Sequence, residues 1–346
     1  MPTLPKSPRL IPALVVVALL ALPAAAQATL AYGTHPYNPH LVVAQDNGKG
    51  AKPIGAGTNA KVSPDGELVA FEREAKNHTP EMKLYDVKTG KTRTLFSPWR
   101  ESYAFAWSPD STMVAALRGG ELGSRTLYVV DVETGKATRI ATGYFNGVSF
   151  SPNNKELVFG LSPNQDYPTK TDIVRGPVTG GPTSTLTHDG ISGWPLWGPN
   201  GKIVFVKQLN AKQRKYGPKN DLFLMNADGK AVKRLTHTKV GELTAGLFPT
   251  AWSASGGQLL AEFGGQDTSY AVAVNPKTGA ERNLSPGNTE TGFAGVALSA
   301  DGKTVLGYLG GYEGGGSAHL KIASVPYKGG KPKVLVRGGF SPSWGG

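Results

Sequence analysis

Short apolar runs broken by tight turns make up the chain after residue 28. Runs such as Leu68–Phe71 and Ile203–Val206 are bounded by Gly, Pro, Asn or Asp. Short bounded runs of this kind are typical of β-strands, and no long stretch of this part of the sequence has the 3.6-residue periodicity of an amphipathic helix. The pattern predicts an all-β protein built from many short strands.

A four-residue turn recurs along the chain, and its most regular form is Ser-Pro-Asp-Gly. Proline presets the first backbone angle of such a turn, and Asp or Asn followed by Gly accepts the tight backbone after it. The six copies begin at Ser63, Ser108, Ser151, Gly198, Ser253 and Ser299. Their spacing of 43 to 55 residues fits a unit of four antiparallel strands, the blade of a β-propeller.

Each turn lies in the same local pattern. An apolar strand follows it, then a strand of the Leu-Tyr-x-x-Asp type, a Thr-Gly turn and a polar last strand. A bulky residue precedes each turn: Val62, Trp107, Phe150, Trp197, Trp252 and Leu298. This unit resembles the TolB-like repeat, a relative of the WD40 repeat, and the resemblance covers essentially the whole chain after residue 28. It implies a propeller scaffold, and it specifies a fold better than a function.

The two ends of the chain supply a seventh blade. Strand-like pieces at Leu30–Tyr32, His40–Ala44 and Ala51–Ile54 lack a first strand, and Phe340–Gly345 resembles Phe248–Ser253. We therefore expect the C-terminal strand to pair with the N-terminal strands and close a ring of seven four-stranded antiparallel blades. The family's namesake has six blades and a separate N-terminal α/β domain, so we expect a relative of TolB and not TolB itself.

The first 28 residues have the pattern of an export signal. Lys6 and Arg9 precede the apolar run Leu10–Leu22, and Ala26-Gln27-Ala28 offers small residues at the spacing of a cleavage site. The run is 13 residues long, shorter than the roughly 20 that a spanning helix needs. We expect cleavage after Ala28, a mature domain of residues 29–346 without a transmembrane segment, and a secreted or periplasmic location.

The composition excludes several kinds of site and partner. The chain has no cysteine, which excludes disulfides, thiolate metal sites and a cysteine nucleophile. The formal net charge of +12 favours contact with anionic surfaces or polymers, although dispersed charges of this kind also serve solubility alone. No nucleic-acid motif is present, so we expect no nucleic-acid partner.

The order of strands in a blade separates two faces. The turns from first to second and from third to fourth strand form one face, which we call the turn face, and they are short and uniform. The remaining connections form the loop face, and they are long and irregular, which is where binding usually resides. The candidate binding residues on the loop face, or beside it between blades, are Trp99, Arg100, Tyr167, His188, Lys212, Arg214, Lys215, Tyr216, His237 and Tyr312.

Some of these residues allow two interpretations. The basic loop around Tyr216 is suited to a carboxylate or phosphate polymer, with its ring stacked on a sugar, or it is simply a solvated loop. All six histidines map to the loop face and are candidate ligands of a divalent metal, although no short ligand spacing supports such a site. They are His35, His40, His78, His188, His237 and His319. By their position in the repeat, Trp107, Trp197, Trp252 and Trp344 are interpreted as packing residues between blades or near the axis.

No catalytic residue is predicted. The Gly-x-Ser-x-Gly elbow, the sialidase Asp box and a phosphate-binding loop are all missing from the sequence. We expect a monomeric binding module without a cofactor, whose partner is an envelope or extracellular protein or an anionic polymer. The alternative is a metal-dependent polyuronate lyase, because oligogalacturonate lyases are similar at the level of a TolB-like, seven-bladed propeller with a histidine-held metal. Such a lyase needs a cation for the uronate carboxylate and a base for the α-proton.

Overall fold

The computed structural model of the chain is all-β. It contains 27 strands and no helix among the residues it describes. Strand pairing arranges these strands in seven antiparallel blades of four strands, as the sequence predicts. The described residues are 28–35, 37–75, 79–97, 102–119, 124–163, 170–210, 219–241, 244–265, 269–285, 292–310 and 320–345.

Each blade runs from an innermost to an outermost strand, in the order that follows. The first blade is β27 (Gly339–Gly345), β1 (Thr29–Thr34), β2 (His40–Gln45) and β3 (Lys52–Ala56). The second is β4 (Thr58–Val62), β5 (Leu68–Glu74), β6 (Pro80–Asp86) and β7 (Thr92–Phe96). The third is β8 (Ser102–Trp107), β9 (Met113–Gly119), β10 (Arg125–Asp131) and the first half of β11 (Ala137–Phe150).

The remaining blades continue in chain order. The fourth is the second half of β11 with β12 (Glu156–Ser162), β13 (Asp172–Pro177) and β14 (Ser184–Thr185). The fifth is β15 (Ser192–Trp197), β16 (Lys202–Gln208), β17 (Asn220–Asn226) and β18 (Lys233–Arg234). The sixth is β19 (Thr244–Trp252), β20 (Leu259–Gly265), β21 (Ser269–Val274) and β22 (Glu281–Asn283). The seventh is β23 (Phe293–Leu298), β24 (Thr304–Leu309), β25 (Lys321–Pro326) and β26 (Lys333–Arg337).

The two ends of the chain meet in the first blade. Strand β27 pairs antiparallel with β1, from Thr29 opposite Gly345 to Thr34 opposite Gly339. The Ser343 hydroxyl also accepts a hydrogen bond from the Val62 amide of β4 at 2.9 Å. The C-terminal strand therefore contacts both the first and the second blade, and the predicted pairing of the chain ends is seen.

The apolar core lies between neighbouring blades. One cluster joins Ala70 and Met82 of the second blade to Val114 and Val130 of the third, all fully buried. Other clusters join further pairs of neighbours in the same way. Each blade therefore buries its faces against the blades beside it.

The Gly of the Thr-Gly turn has a packing role between blades. In several blades this residue has a positive φ and lies against a backbone oxygen of the preceding blade's last strand. A Cβ on Gly135 would lie 3.1 Å from the oxygen of Leu95, and a Cβ on Gly279 would overlap the oxygen of Leu235. The glycine therefore permits both the tight turn and the close packing of this turn against the last strand of the preceding blade.

Two turns of identical sequence separate these effects. Lys88-Thr89-Gly90 and Lys277-Thr278-Gly279 have similar positive φ values at glycine, 69° and 74°. A Cβ on Gly90 would meet only the Tyr85 hydroxyl, at 3.8 Å. We expect Gly90→Ala to lower the free energy of unfolding by about 1 kcal/mol through backbone strain alone. We expect Gly279→Ala to lower the free energy of unfolding by about 1–3 kcal/mol more than Gly90→Ala, because its Cβ overlaps the Leu235 oxygen.

Chemical denaturation of the two variants beside wild type measures this difference. Gly90→Ala is the control, because it shares the local sequence and the backbone conformation. Equal losses of stability would contradict the packing role.

Candidate functional site

The innermost strand of every blade is irregular in its pairing. A register shift interrupts each of the seven inner ladders, always two or three residues before the strand's last bulky residue. At this point Asn59, Trp194 and Ser341 have φ values of 52°, 47° and 46°. Bulges of this kind bend a strand and redirect its side chains, so the inner strands share one distortion near the axis.

An apolar cavity of about 510 Å³ opens at the turn face. The Ser-Pro-Asp-Gly turns contribute its rim: Pro64, Pro109, Pro152, Pro199, Ala254 and Ala300. The last bulky residue of each inner strand contributes its wall: Val62, Trp107, Phe150, Trp197, Trp252, Leu298 and Trp344. Because all seven blades supply an equivalent residue, the cavity lies on the axis of the ring, and we call it the axial cavity.

Hydrogen bonds within each turn hold the rim in place. The Ser63 hydroxyl donates to Asp65 Oδ1 at 2.5 Å and accepts from the Leu68 amide at 2.9 Å. Successive turns are also linked, since the Asp65 amide donates to Ser111 Oγ at 3.2 Å. The rim turns of the second and third blades are therefore connected to each other and are not independent loops.

The carboxylates of these turns are structural. The Lys303 amide and the Ser299 hydroxyl donate to Asp301 and lower its pKa to about 2. Partial burial opposes the ionisation of Asp110, but bonds from Ser108 and Thr112 outweigh it and lower its pKa. Both side chains are thus ionised acceptors at neutral pH.

The indole rings of the wall are positioned by neighbouring blades. Trp107 Nε1 donates to the Lys61 oxygen at 3.0 Å, and Trp252 Nε1 donates to the Leu196 oxygen at 3.3 Å. Trp197 is 8% exposed, whereas Trp107, Trp252 and Trp344 are partly exposed. The four rings do pack between blades, as their position in the repeat predicts, and they also form the wall of the cavity.

The lining of the cavity determines which groups it suits. Its surface comes mainly from indole, phenyl, proline and aliphatic carbons. The hydroxyls of Ser253 and Ser299 line it as well, but both already bond within their turns. A preformed apolar space of this size suits an aromatic or aliphatic group, and it offers little to a sugar or a phosphate.

Four of the candidate histidines lie in the described part of the chain, on the loop face. His188 and His237 are exposed and follow β14 and β18. His35 directly follows β1 and His40 is the first residue of β2, and their ring centroids are 6.2 Å apart. His35 Nδ1 is 3.1 Å from Thr34 Oγ1, and His40 Nδ1 is 2.8 Å from the Asn38 oxygen. Within the described ranges, no three His, Cys, Asp or Glu side chains are grouped so that they could hold a metal ion.

The other candidates lie outside the described residues. They are Trp99, Arg100, Tyr167, Lys212, Arg214, Lys215, Tyr216 and Tyr312, together with His78 and His319. A binding site or a metal site on the loop face therefore stays a prediction.

Comparison with known proteins relates the chain to propellers of several functions. No family model matches it, and no curated protein matches it. The β-propeller domain of the Trilobed protease from Pyrococcus furiosus, which has an open velcro topology, is 13% identical with a TM-score of 0.66 over 89% of this chain and 94% of that one. An oligogalacturonate lyase in complex with manganese is 17% identical with a TM-score of 0.62 over 89% of this chain and 84% of that one.

TolB from Acinetobacter baumannii is the third of these structures. It is 16% identical with a TM-score of 0.52 over 94% of this chain and 68% of that one. At such identities the likenesses show the fold alone, which is that of a β-propeller. Of the described residues, no helix is long and apolar enough to cross a membrane.

Proposed function

We propose that the mature chain is an exported binding module that holds an apolar side chain of a partner protein in the axial cavity. The observation that carries this proposal is the wall of seven equivalent residues, which gives an aromatic and apolar space of about 510 Å³. Its residues are fixed by hydrogen bonds within and between blades, so little ordering is needed when a partner binds. The export signal predicted from the first 28 residues supports a partner in the cell envelope or outside the cell.

The chemistry of the cavity favours a polypeptide over a carbohydrate. Buried aromatic and aliphatic anchors in a central pocket are the usual source of affinity between proteins. A sugar, in contrast, requires several hydrogen bonds, and the cavity hydroxyls are engaged. The basic loop with Lys212, Arg214 and Lys215 is proposed as a second contact, for an acidic region of the protein or for an anionic polymer.

A metal-dependent polyuronate lyase is the alternative proposal. It is supported by the shared fold of the manganese-bound oligogalacturonate lyase and by the placement of the described histidines on one face. Metal analysis of untagged protein, together with an assay for unsaturated uronate products, tests it. A chain purified without divalent metal and inactive when metal is added would remove this alternative.

Selection from a random peptide library on immobilised mature protein tests the binding proposal. We expect enriched peptides to carry aromatic or aliphatic anchors. Ala300 is exposed at the rim, so Ala300→Trp should obstruct the cavity without removing any core side chain. We expect this change to weaken peptide binding about tenfold or more.

Ala280→Trp is the matched control. Ala280 is also exposed and on the turn face, but in the turn between β21 and β22, outside the cavity lining. Thermal melts verify that both variants are folded. Peptides that bind wild type and both variants alike would contradict a site in the axial cavity.

A further inference from the structure

One charged side chain lies on the seven inner strands, within the strand bounds that the structure describes. It is Lys61 of β4. Every other position of these strands is uncharged, from Gly339–Gly345 through the second half of β11 to Phe293–Leu298. This single cation distinguishes the inner strand of the second blade from those of the other six blades.

The position of Lys61 follows from the repeat. It directly precedes Val62 of the cavity wall, and its carbonyl accepts the Trp107 indole. At the equivalent position, Ser149 and Ser343 accept hydrogen bonds from the amides of the next blade's wall residues, at 3.0 and 2.9 Å. Because the inner strands run towards the turn face, Lys61 lies one residue deeper than the wall, beside Trp107.

The surroundings strengthen the attraction of this side chain for an anion. Lys61 is exposed to solvent, yet desolvation by the surrounding protein lowers its pKa. An ammonium group that the protein desolvates attracts an anion more strongly than one on the open surface.

We infer that Lys61 binds a carboxylate of the occupant of the axial cavity, and that this occupant is the C-terminal end of a partner polypeptide with an apolar last residue. The inference rests on the proposed binding function of the cavity. An occupant that enters from the turn face reaches Lys61 with its leading end, while the groups behind it lie among the indoles. A chain terminus satisfies both contacts, because its carboxylate leads and its last side chain fills the cavity.

An internal Asp or Glu suits this arrangement less well. It would bring two arms of polypeptide into the apolar space, with peptide groups that find no partners there. The position of the cation beneath an apolar wall therefore favours a chain end.

Two short peptides test the inference: acetyl-Gly-Gly-Phe as the free acid and as the C-terminal amide. Binding is followed by the tryptophan fluorescence of the mature protein, since the peptides contain no tryptophan. For wild type we expect the acid to bind roughly tenfold more tightly than the amide, as for a hydrogen bond to a charged group. Lys61→Met keeps the aliphatic stem, and we expect it to abolish this preference without weakening the amide.

Lys88→Met is the control for the loss of one positive charge. Lys88 is exposed on the same face, in the turn after β6, and its substitution should leave the preference intact. Lys61→Arg should retain the preference as well. If Lys61→Met does not fold, the ratio of the two peptide affinities for wild type decides. Equal binding of acid and amide to wild type overturns the inference by itself.

The remaining outcomes separate this inference from the proposed function. Failure of both peptides to bind wild type would count against the apolar cavity itself. If both peptides bind wild type equally and Ala300→Trp weakens both, the axial cavity is still the binding site, but Lys61 does not bind the carboxylate. Binding of 3-phenylpropanoate as tightly as the peptide acid would overturn a polypeptide terminus in favour of a small carboxylate.

Discussion

Removal of residues 339–346 is expected to lower the midpoint of thermal unfolding by about 10 °C or more. These residues contain β27, which pairs along the whole length of β1. Without it, β1 becomes an unpaired edge, and Leu30 and Ala31, both fully buried, become exposed. Differential scanning fluorimetry of residues 29–338 beside residues 29–346 measures the change.

The truncated chain should also self-associate, because an unpaired strand edge pairs readily with another chain. Light scattering or gel filtration detects this. Ser343→Ala is the control, since it removes only the hydrogen bond to the Val62 amide, at a cost of about 1 kcal/mol. Unchanged melting of the truncated chain would show that β27 contributes nothing to the fold.

The pairing of β27 with β1 was predictable because both strands carry a signal in the sequence. Trp344 follows Leu298 at the repeat spacing, and Leu30–Tyr32 begins a blade that lacks a first strand. Repeat spacing reports which strands belong together, and antiparallel order then fixes the pairing. The continuous strand β11, which passes from the third blade to the fourth, was not predicted, since nothing in its residues marks where one blade ends.

The axial cavity was not predicted, for a physical reason. The sequence shows that a bulky residue ends each inner strand, which indicates packing. Whether seven such residues fill the axis or leave a space depends on the radius of the ring, and thus on long-range geometry. The long, irregular loops predict binding at the loop face, whereas the axial cavity lies at the uniform turns. A cavity was foreseeable only by considering that equivalent residues of a closed ring converge on one axis.

A Leu-Thr pair directly follows the last strand in two blades, as Leu186-Thr187 after β14 and Leu235-Thr236 after β18, and its threonine has a clear structural role. Thr236 Oγ1 donates to the buried carboxylate of Asp221 and accepts from the Leu222 amide at 3.0 Å. In the fourth blade, Thr187 donates to Asp172 at 3.0 Å and accepts from the Ile173 amide at 2.9 Å. This Leu-Thr motif therefore fastens the segment after the last strand to the start of the third strand.

The fifth blade adds a charge pair to this arrangement. Arg234 Nε and a terminal guanidinium nitrogen donate to Asp221 Oδ2 at 2.8 and 2.7 Å. The Asp221 side chain is 1% exposed, whereas Arg234 is 36% exposed. Asp221 is thus a buried charge held by both a guanidinium and a hydroxyl. Asp172 is a half-buried equivalent that bonds Thr187 and the Gly190 amide.

Asp221→Ala is expected to lower the free energy of unfolding by about 3 kcal/mol. This estimate takes the low end of the cost of breaking a buried charge pair, because Arg234 can turn partly to water. The buried Thr236 hydroxyl also loses its acceptor. Asp172→Ala should cost about 1 kcal/mol, since it removes the same threonine contact without a partner arginine.

Urea unfolding of both variants, followed by tryptophan fluorescence, gives the comparison. Asp221→Asn separates the two contributions in the fifth blade: it keeps an acceptor for Thr236 but removes the charge that holds Arg234, so its stability should fall between Asp221→Ala and wild type. Equal losses for Asp221→Ala and Asp172→Ala would mean that the arginine pair adds no stability, and that the Leu-Thr contact alone explains the motif. We expect Asp221→Ala to lower the free energy of unfolding more than Asp172→Ala does. Only Asp221→Ala leaves a guanidinium without its carboxylate as well as a hydroxyl without its acceptor.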